Sequence, residues 1–167
     1  MAEDMLSLYD WVADVPHAGR LEWIGLRPAY RAPVRSVESA QLLSEQGLMG
    51  DHGRGRRALT LIQLEHLAVI AALCRVQRVE PASLRRNLVV SGINLAALKR
   101  CEFYLGGALL KGTGDCHPCT RMEQTLGPGG FQAMRGHGGI TACVLEPGEI
   151  RLGDRVRIAK PHCTSGR

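Results

Sequence analysis

Short apolar runs, each cut off by a turn rich in glycine or proline, recur along this chain, and that punctuation limits its fold more than any other feature. Residues 21–26 alternate in polarity and predict a strand. Residues 34–40, 58–62, 85–90, 101–105, 108–113, 140–145 and 155–158 predict others. Gly106-Gly107, between two of these runs, signals a hairpin. Residues 63–74 carry the best helical repeat, with Leu64, Leu67, Ala68, Ala71 and Leu73 apolar, so this helix should lie on a sheet face. Residues 4–14 predict a short amphipathic helix ending near Pro16, suited to packing across the domain or to a homodimer contact. Helical turns are expected at 42–46, 81–84 and 95–98, and a helix-like run at 122–126. Glu146-Pro147-Gly148 and Leu152-Gly153-Asp154 read as turns. Many short strands, few helices and no regular βαβ alternation predict a distorted barrel or an α+β domain rather than a doubly wound sheet.

A chain of 167 residues suits one domain and hides roughly 70% of its unfolded surface, so it needs no disulfides to hold a core. Residues 1–20 are expected to form an N-terminal helical extension, 21–160 the domain, and 161–167 a loose tail. The acidic start lacks the charged and apolar regions of a signal peptide, and no apolar run is long enough to span a bilayer. A cytoplasmic location is therefore expected, with no membrane partner. The six cysteines (Cys74, Cys101, Cys116, Cys119, Cys143 and Cys163) should then be free thiols. The net charge of +5 rests on arginine, because only Lys99, Lys111 and Lys160 are lysines. Arginine offers planar forks suited to phosphate and carboxylate. No basic stripe interleaves with aromatics, so nucleic acid is not an expected partner.

The chemistry concentrates in Gly112-Thr113-Gly114-Asp115-Cys116-His117-Pro118-Cys119-Thr120-Arg121. A thioredoxin-like use of Cys-x-x-Cys needs a βαβ context that this position lacks. Haem attachment needs histidine directly after the second cysteine, where Thr120 stands. Zinc needs four ligands; His137 and Cys143 could complete Cys116 and Cys119, though without the usual short spacing. A single reactive cysteine could instead hold a soft metal or a persulfide, with His117 and Arg121 nearby to favour the thiolate. Three further stretches could serve a ligand: Arg54, Arg56 and Arg57 in a glycine-rich loop, the Arg85-Arg86-Asn87 group at a strand start, and the glycine loops 127–130 and 136–139 with His137 and Gly138. Asp51 and Asp115 read as turn residues, and His66 as a surface or interface residue.

Taken in order, these pieces resemble the MOSC domain, named for the C-terminal domain of molybdenum cofactor sulfurase. They are Gly47-Leu-x-Gly-Asp51, Leu59-Thr-Leu-Ile62 before Glu65, Arg85-x-Asn87-Leu-Val-Val90 with Ser91-Gly92, Leu105-Gly106 and Leu109, Cys116-x-Pro-Cys119, and Gly136-His-Gly-Gly-Ile140. The resemblance runs from about Leu21 to Ile158 and implies a mainly β fold with a few short helices, a distorted MOSC-type β-barrel. It implies a family cysteine at Cys119. In relatives such as the amidoxime-reducing component, the matching cysteine ligates molybdenum of a pyranopterin cofactor, and those relatives reduce N-hydroxylated compounds. Other members are proposed to carry sulfur as a persulfide. Arg85 and Asn87 match residues that would hold the anionic cofactor tail, with Arg54, Arg56, Arg57, His117, Arg121, His137 and Gly138 as further candidate contacts. The resemblance thus implies a molybdenum-cofactor-binding oxidoreductase acting on a small molecule. No stretch of this sequence matches the reducers' N-terminal companion domain or a fused ferredoxin-like domain, so electrons are expected to come from a separate donor protein. His117 stands where the reducers carry a smaller polar residue. No pyridoxal-phosphate lysine motif is present.

Overall fold

A computed structural model describes residues 14–159 together with Leu8 and Trp11. Eleven strands and three α-helices lie within them: β1 (Gly19–Leu26), β2 (Arg35–Val37), β3 (Ser39–Leu43), β4 (Gly47–Leu48), β5 (Leu59–Gln63), α1 (Leu64–Cys74), β6 (Leu88–Ser91), β7 (Glu102–Leu105), β8 (Ala108–Asp115), α2 (Thr120–Leu126), α3 (Gly130–Met134), β9 (Ile140–Glu146), β10 (Gly148–Arg151) and β11 (Arg155–Ile158). Gly55–Arg57 and Leu95–Leu98 are 3-10 turns. Strands β11-β7-β8-β9-β5-β6-β1 form one sheet, and β1 pairs back onto β11 to close a seven-stranded barrel; β2 extends β1. Closure removes the open edges that a sheet of this size would expose. Strands β10-β3-β4 make a small second sheet. The expected mainly β barrel is thus the observed fold.

All of these pairings are antiparallel except β5–β6, which are parallel and joined through α1. A parallel pair needs such a crossover, and its strands are buried on both faces. The sequence shows this directly in the unbroken apolar runs of β5 and β6. Leu59, Leu61, Leu88 and Val90 point into the barrel, where they meet Leu21, Ile24, Phe103, Leu110 and Ala142. Ile62 and Val89 point outward, under Leu67 and Ile70 of α1, Met122 of α2 and Ala133 and Met134 of α3. The helices therefore sit over one flank of the barrel, β5–β6, and bring the 116–139 segment to it.

Several local expectations change. The run 34–40 is two strands broken at Glu38, and 42–46 is the end of β3 followed by a turn, with Glu45 at φ 64°. The expected strand from Arg85 begins only at Leu88, because Arg85 is left-handed (φ 54°) and ends a turn over 81–85. Glu146-Pro147-Gly148 turns directly into β10, and the glycine loop 127–130 opens α3; neither element was expected. The expected helix over 4–14 lies almost wholly outside the described residues. Cys101 is disulfide-bonded, which departs from the expectation that all six thiols are free; Cys74, Cys116, Cys119 and Cys143 are free. Among the described residues, no helix is long and apolar enough to cross a membrane.

Candidate functional site

Three segments meet beside the β5–β6 flank: 81–87 before β6, 114–121 after β8, and 134–139 before β9. Strand β8 ends where Asp115 pairs with Ile140. The Cys116 N–H then adds one more rung, donating to the Gly139 carbonyl (2.9 Å). This fixes Cys116 as a buried residue. Pro118 carries the chain outward, and Cys119 takes an extended conformation (φ −128°, ψ 171°) at the head of α2, its carbonyl accepting from Met122 N–H (2.9 Å). Cys119 is exposed. The two thiols thus have unlike environments although they stand three residues apart.

The 136–139 turn lies so close to its neighbours that side chains would not fit. Gly139 has φ 87°, and a Cβ there would run into the Leu61 carbonyl. A Cβ on Gly138 would stand 2.5 Å from the Cys116 carbonyl oxygen and 3.3 Å from Arg86 Nη2. Glycine is the residue that permits both approaches.

A cavity of about 640 Å³ opens here, lined by Cys116, Cys119, Met122 and five arginines: Arg27, Arg31, Arg85, Arg86 and Arg121. His52, Tyr30 and Thr60 add polar groups, and no Asp or Glu side chain among the described residues lines it. A wall of one sign in a concave site concentrates positive potential and favours anions. Burial, and then the charges of Arg121 and Arg27, push the Arg85 guanidinium down from its ordinary value, with Asp51 opposing. A second cavity of about 290 Å³ adjoins Cys116, lined by the Lys99–Asp115 ion pair (2.7 Å), His117, Arg135, Gly136, Gly138 and Gly139.

Arg86 is 6% exposed. Its Nε donates to the Gly138 carbonyl (2.9 Å) and its Nη1 to the Leu84 carbonyl (2.8 Å). Its Nη2 is buried and has no partner. Burial pushes the Arg86 guanidinium down, while Cys116 and Cys119 act to hold its charge. A buried donor left unmade costs about 1–3 kcal/mol, and more on a charged group, so native structures seldom keep one idle.

The frame behind the cavity is Asp51. Its carboxylate forms an ion pair with Arg27 Nη2 (2.8 Å) and accepts from the backbone N–H groups of Arg27 (2.5 Å) and Gly53 (2.8 Å) and from Asn87 Nδ2 (3.1 Å). Burial alone would raise this carboxyl; the Arg27 bonds and charge and the two N–H groups outweigh it and hold it below its ordinary value. Asn87 is fully buried, and its amide is fully used. Its Oδ1 accepts from Thr60 N–H (3.1 Å) and Thr60 Oγ1 (3.2 Å), while Nδ2 also donates to the Gly25 carbonyl (3.0 Å).

The expected site residues separate accordingly. Cys119, Arg85 and Arg121 line the main cavity. Asn87 stands behind it as a clamp between β1, β5 and Asp51. His117 and Gly138 line the smaller cavity. Arg54 turns back on its own loop, with Nη1 donating to the Asp51 and Gly53 carbonyls (both 2.6 Å), and Arg56 and Arg57 are exposed; none of the three lines either cavity. His137 donates from Nδ1 to the Ala133 carbonyl (3.0 Å) and packs edge-on against His66, ring centres 5.3 Å apart. His66 is half-buried, and burial followed by the His137 charge pushes it down, so it favours the neutral form. Among the described residues, no three His, Cys, Asp or Glu side chains gather to hold a metal, so Cys116, Cys119, His137 and Cys143 do not assemble a zinc centre. Arg27, Arg31 and His52 escaped the sequence reading. The signal was present: Arg27-Pro28-Ala29-Tyr30-Arg31 is a proline-bearing loop with two arginines and a tyrosine.

Comparison with known proteins agrees with this architecture. The YuaD protein of Bacillus subtilis superposes with a TM-score of 0.75 at 20% identity, covering 85% of this chain and 96% of its own. YiiM of Escherichia coli gives 0.67 at 23% identity, covering 84% and 70%. YiiM of Geobacillus stearothermophilus gives 0.68 at 16% identity, covering 85% and 75%. At these identities the likeness is one of fold. No curated protein sequence matches the chain. The sequence profile of the MOSC domain matches residues 49–157, more than half of the chain and the part that carries five of the six cysteines and most of the cavity wall. The chain belongs to the MOSC domain family.

Proposed function

We propose that this protein binds a molybdenum pyranopterin cofactor and reduces N-hydroxylated compounds, with Cys119 as the thiolate ligand of the metal. The observation that carries the reading is an exposed free thiol on a cavity whose charged lining is wholly cationic, beside a buried guanidinium nitrogen without a partner. The residues fit such a group. Its anionic phosphate suits Arg27, Arg31, Arg85 and Arg121, since arginine forks match phosphate oxygens. Cys119 supplies the soft ligand that a transition metal takes. When bound, the cofactor supplies a metal that accepts two electrons and offers an open coordination position. The chain's own part is to hold that group by charge, to orient it through Cys119, and to present the substrate across the exposed rim formed by Tyr30, Thr120 and Gln124. Electrons come from a separate donor protein. The working domain takes in Gly19 and Arg20, which pair with β11 and close the barrel, together with the expected 21–160, in a cytoplasmic setting.

The test is elemental analysis and pterin fluorescence on wild type and Cys119→Ser, made in a host that produces the cofactor. Wild type is expected to hold both metal and pterin, and the mutant to keep only a small fraction of the molybdenum with the fold intact. A wild type free of both overturns the reading. A second reading rests on the exposure of Cys119, which leaves its sulfur open to a partner protein: the residue would carry a persulfide for cofactor or metal–sulfur assembly. Mass spectrometry that finds one extra sulfur on Cys119, with no bound metal, would favour it.

A further inference from the structure

Within Arg85-Arg86-Asn87, the family resemblance points to the first and third residues, but the hydrogen bonds single out the second. Both Nδ2 donors of Asn87 are taken by Gly25 and Asp51, and its Oδ1 by Thr60. Arg85 donates to the carbonyls of Ala32 and Ala29 and faces the Arg121 and Arg27 side of the cavity. Arg86 is more than nine-tenths buried, lines the cavity beside both cysteines, and keeps both N–H bonds of Nη2 unclaimed. Its other nitrogens are fixed by Gly138 and Leu84, so the guanidinium cannot turn away to solvent. Gly138 itself leaves room for it: a methyl there would press on Nη2 from 3.3 Å.

We propose that Arg86 is a binding residue of this site, donating through Nη2 to the anionic atoms of the cofactor held beside Cys119, while Asn87 serves the frame alone. This rests on the cofactor reading above. It divides the arginines into two groups: Arg27, Arg31, Arg85 and Arg121 serve the phosphate end, and Arg86 serves the metal-bearing end. A guanidinium suits the second task because it is fixed in place and charged before the ligand arrives, so little ordering remains on binding.

The test compares wild type, Arg86→Met and Arg86→Lys, each made in a cofactor-producing host. Molybdenum and pterin per chain are measured, together with the electron paramagnetic resonance of the Mo(V) state. Arg86→Met should hold at least tenfold less pterin than wild type. Arg86→Lys keeps a cation but has one nitrogen where Arg86 has three, so it should load to an intermediate level with a shifted Mo(V) signal. A residue that only anchored Gly138 would leave that signal unmoved in the loaded fraction. If Arg86→Met does not fold, Arg86→Lys decides alone. Variants that load like wild type, or an Arg86→Lys signal that superimposes on the wild-type one, overturn the assignment. A wild type that holds no pterin overturns the cofactor reading itself and this assignment with it, and is plainly distinct from a loaded wild type with equally loaded variants.

Discussion

At the scale of single residues, polar groups that look interchangeable in the sequence divide into frame and site once their bonds are followed. Asn87 is frame. Replacing it with Ala leaves the Thr60 N–H, the Gly25 carbonyl and one Asp51 bond unmet in the interior. We expect Asn87→Ala to lower unfolding free energy by about 3 kcal/mol or more, read by urea denaturation; a loss under about 1 kcal/mol would assign those groups other partners. Asp51 gives a pH signature. Its native carboxyl lies below its ordinary value, so its stabilisation is fully present above about pH 4 and is lost as pH falls through the lower native value. Denaturation midpoints measured from pH 6 down to pH 2 should fall more steeply in wild type than in Asp51→Asn, and equal slopes would contradict the ion-pair account. The type of a residue is visible in the sequence, but which of its atoms are already bonded is not. That is why the family resemblance singled out Arg85 and Asn87 within the Arg85-Arg86-Asn87 group and passed over Arg86.

At the scale of elements, the strands and the main helix were legible because their signals are local. The unbroken runs of β5 and β6 and the helical stripe of α1 need no distant information; β5 and α1 lie where they were expected, and β6 lies in the expected run but starts three residues late, at Leu88. Strand β10 and helix α3 were not legible. Both begin at a glycine that reads as a turn, and both depend on partners far along the chain: β10 pairs with β3, and α3 packs against α1. The 136–139 turn was legible as a glycine loop, but the reason for it was not. That reason is the Leu61 carbonyl, which lies where a Gly139 side chain would be, so Gly139→Ala should destabilise the fold by about 2 kcal/mol or more through a φ of 87° and a backbone clash. A thermal midpoint equal to wild type would show that the turn can shift away. Gly138→Ala should spare more stability but disturb the site, since its methyl meets Arg86 Nη2 and the Cys116 carbonyl; less retained pterin at a near-native midpoint is the expected result.

At the scale of the whole molecule, a closed barrel supplies the rigidity and its connections supply the chemistry. Most of the cavity wall comes from segments between strands: Arg27 to Arg31 after β1, Leu84 to Arg86 before β6, and Cys116 to Gln124 after β8. Segments so distant in sequence meet only because the barrel closes, so the cluster of five arginines around one exposed thiol could not be read from spacing. The family could be read, because its motifs keep their order along the chain. At the centre of the proposed function stands a direct bond from Cys119 to the metal. X-ray absorption at the molybdenum edge, on loaded wild type and Cys119→Ser, tests it most directly. One fewer sulfur neighbour around molybdenum is expected in the residual metal of the mutant. An unchanged sulfur count in the two proteins would contradict it.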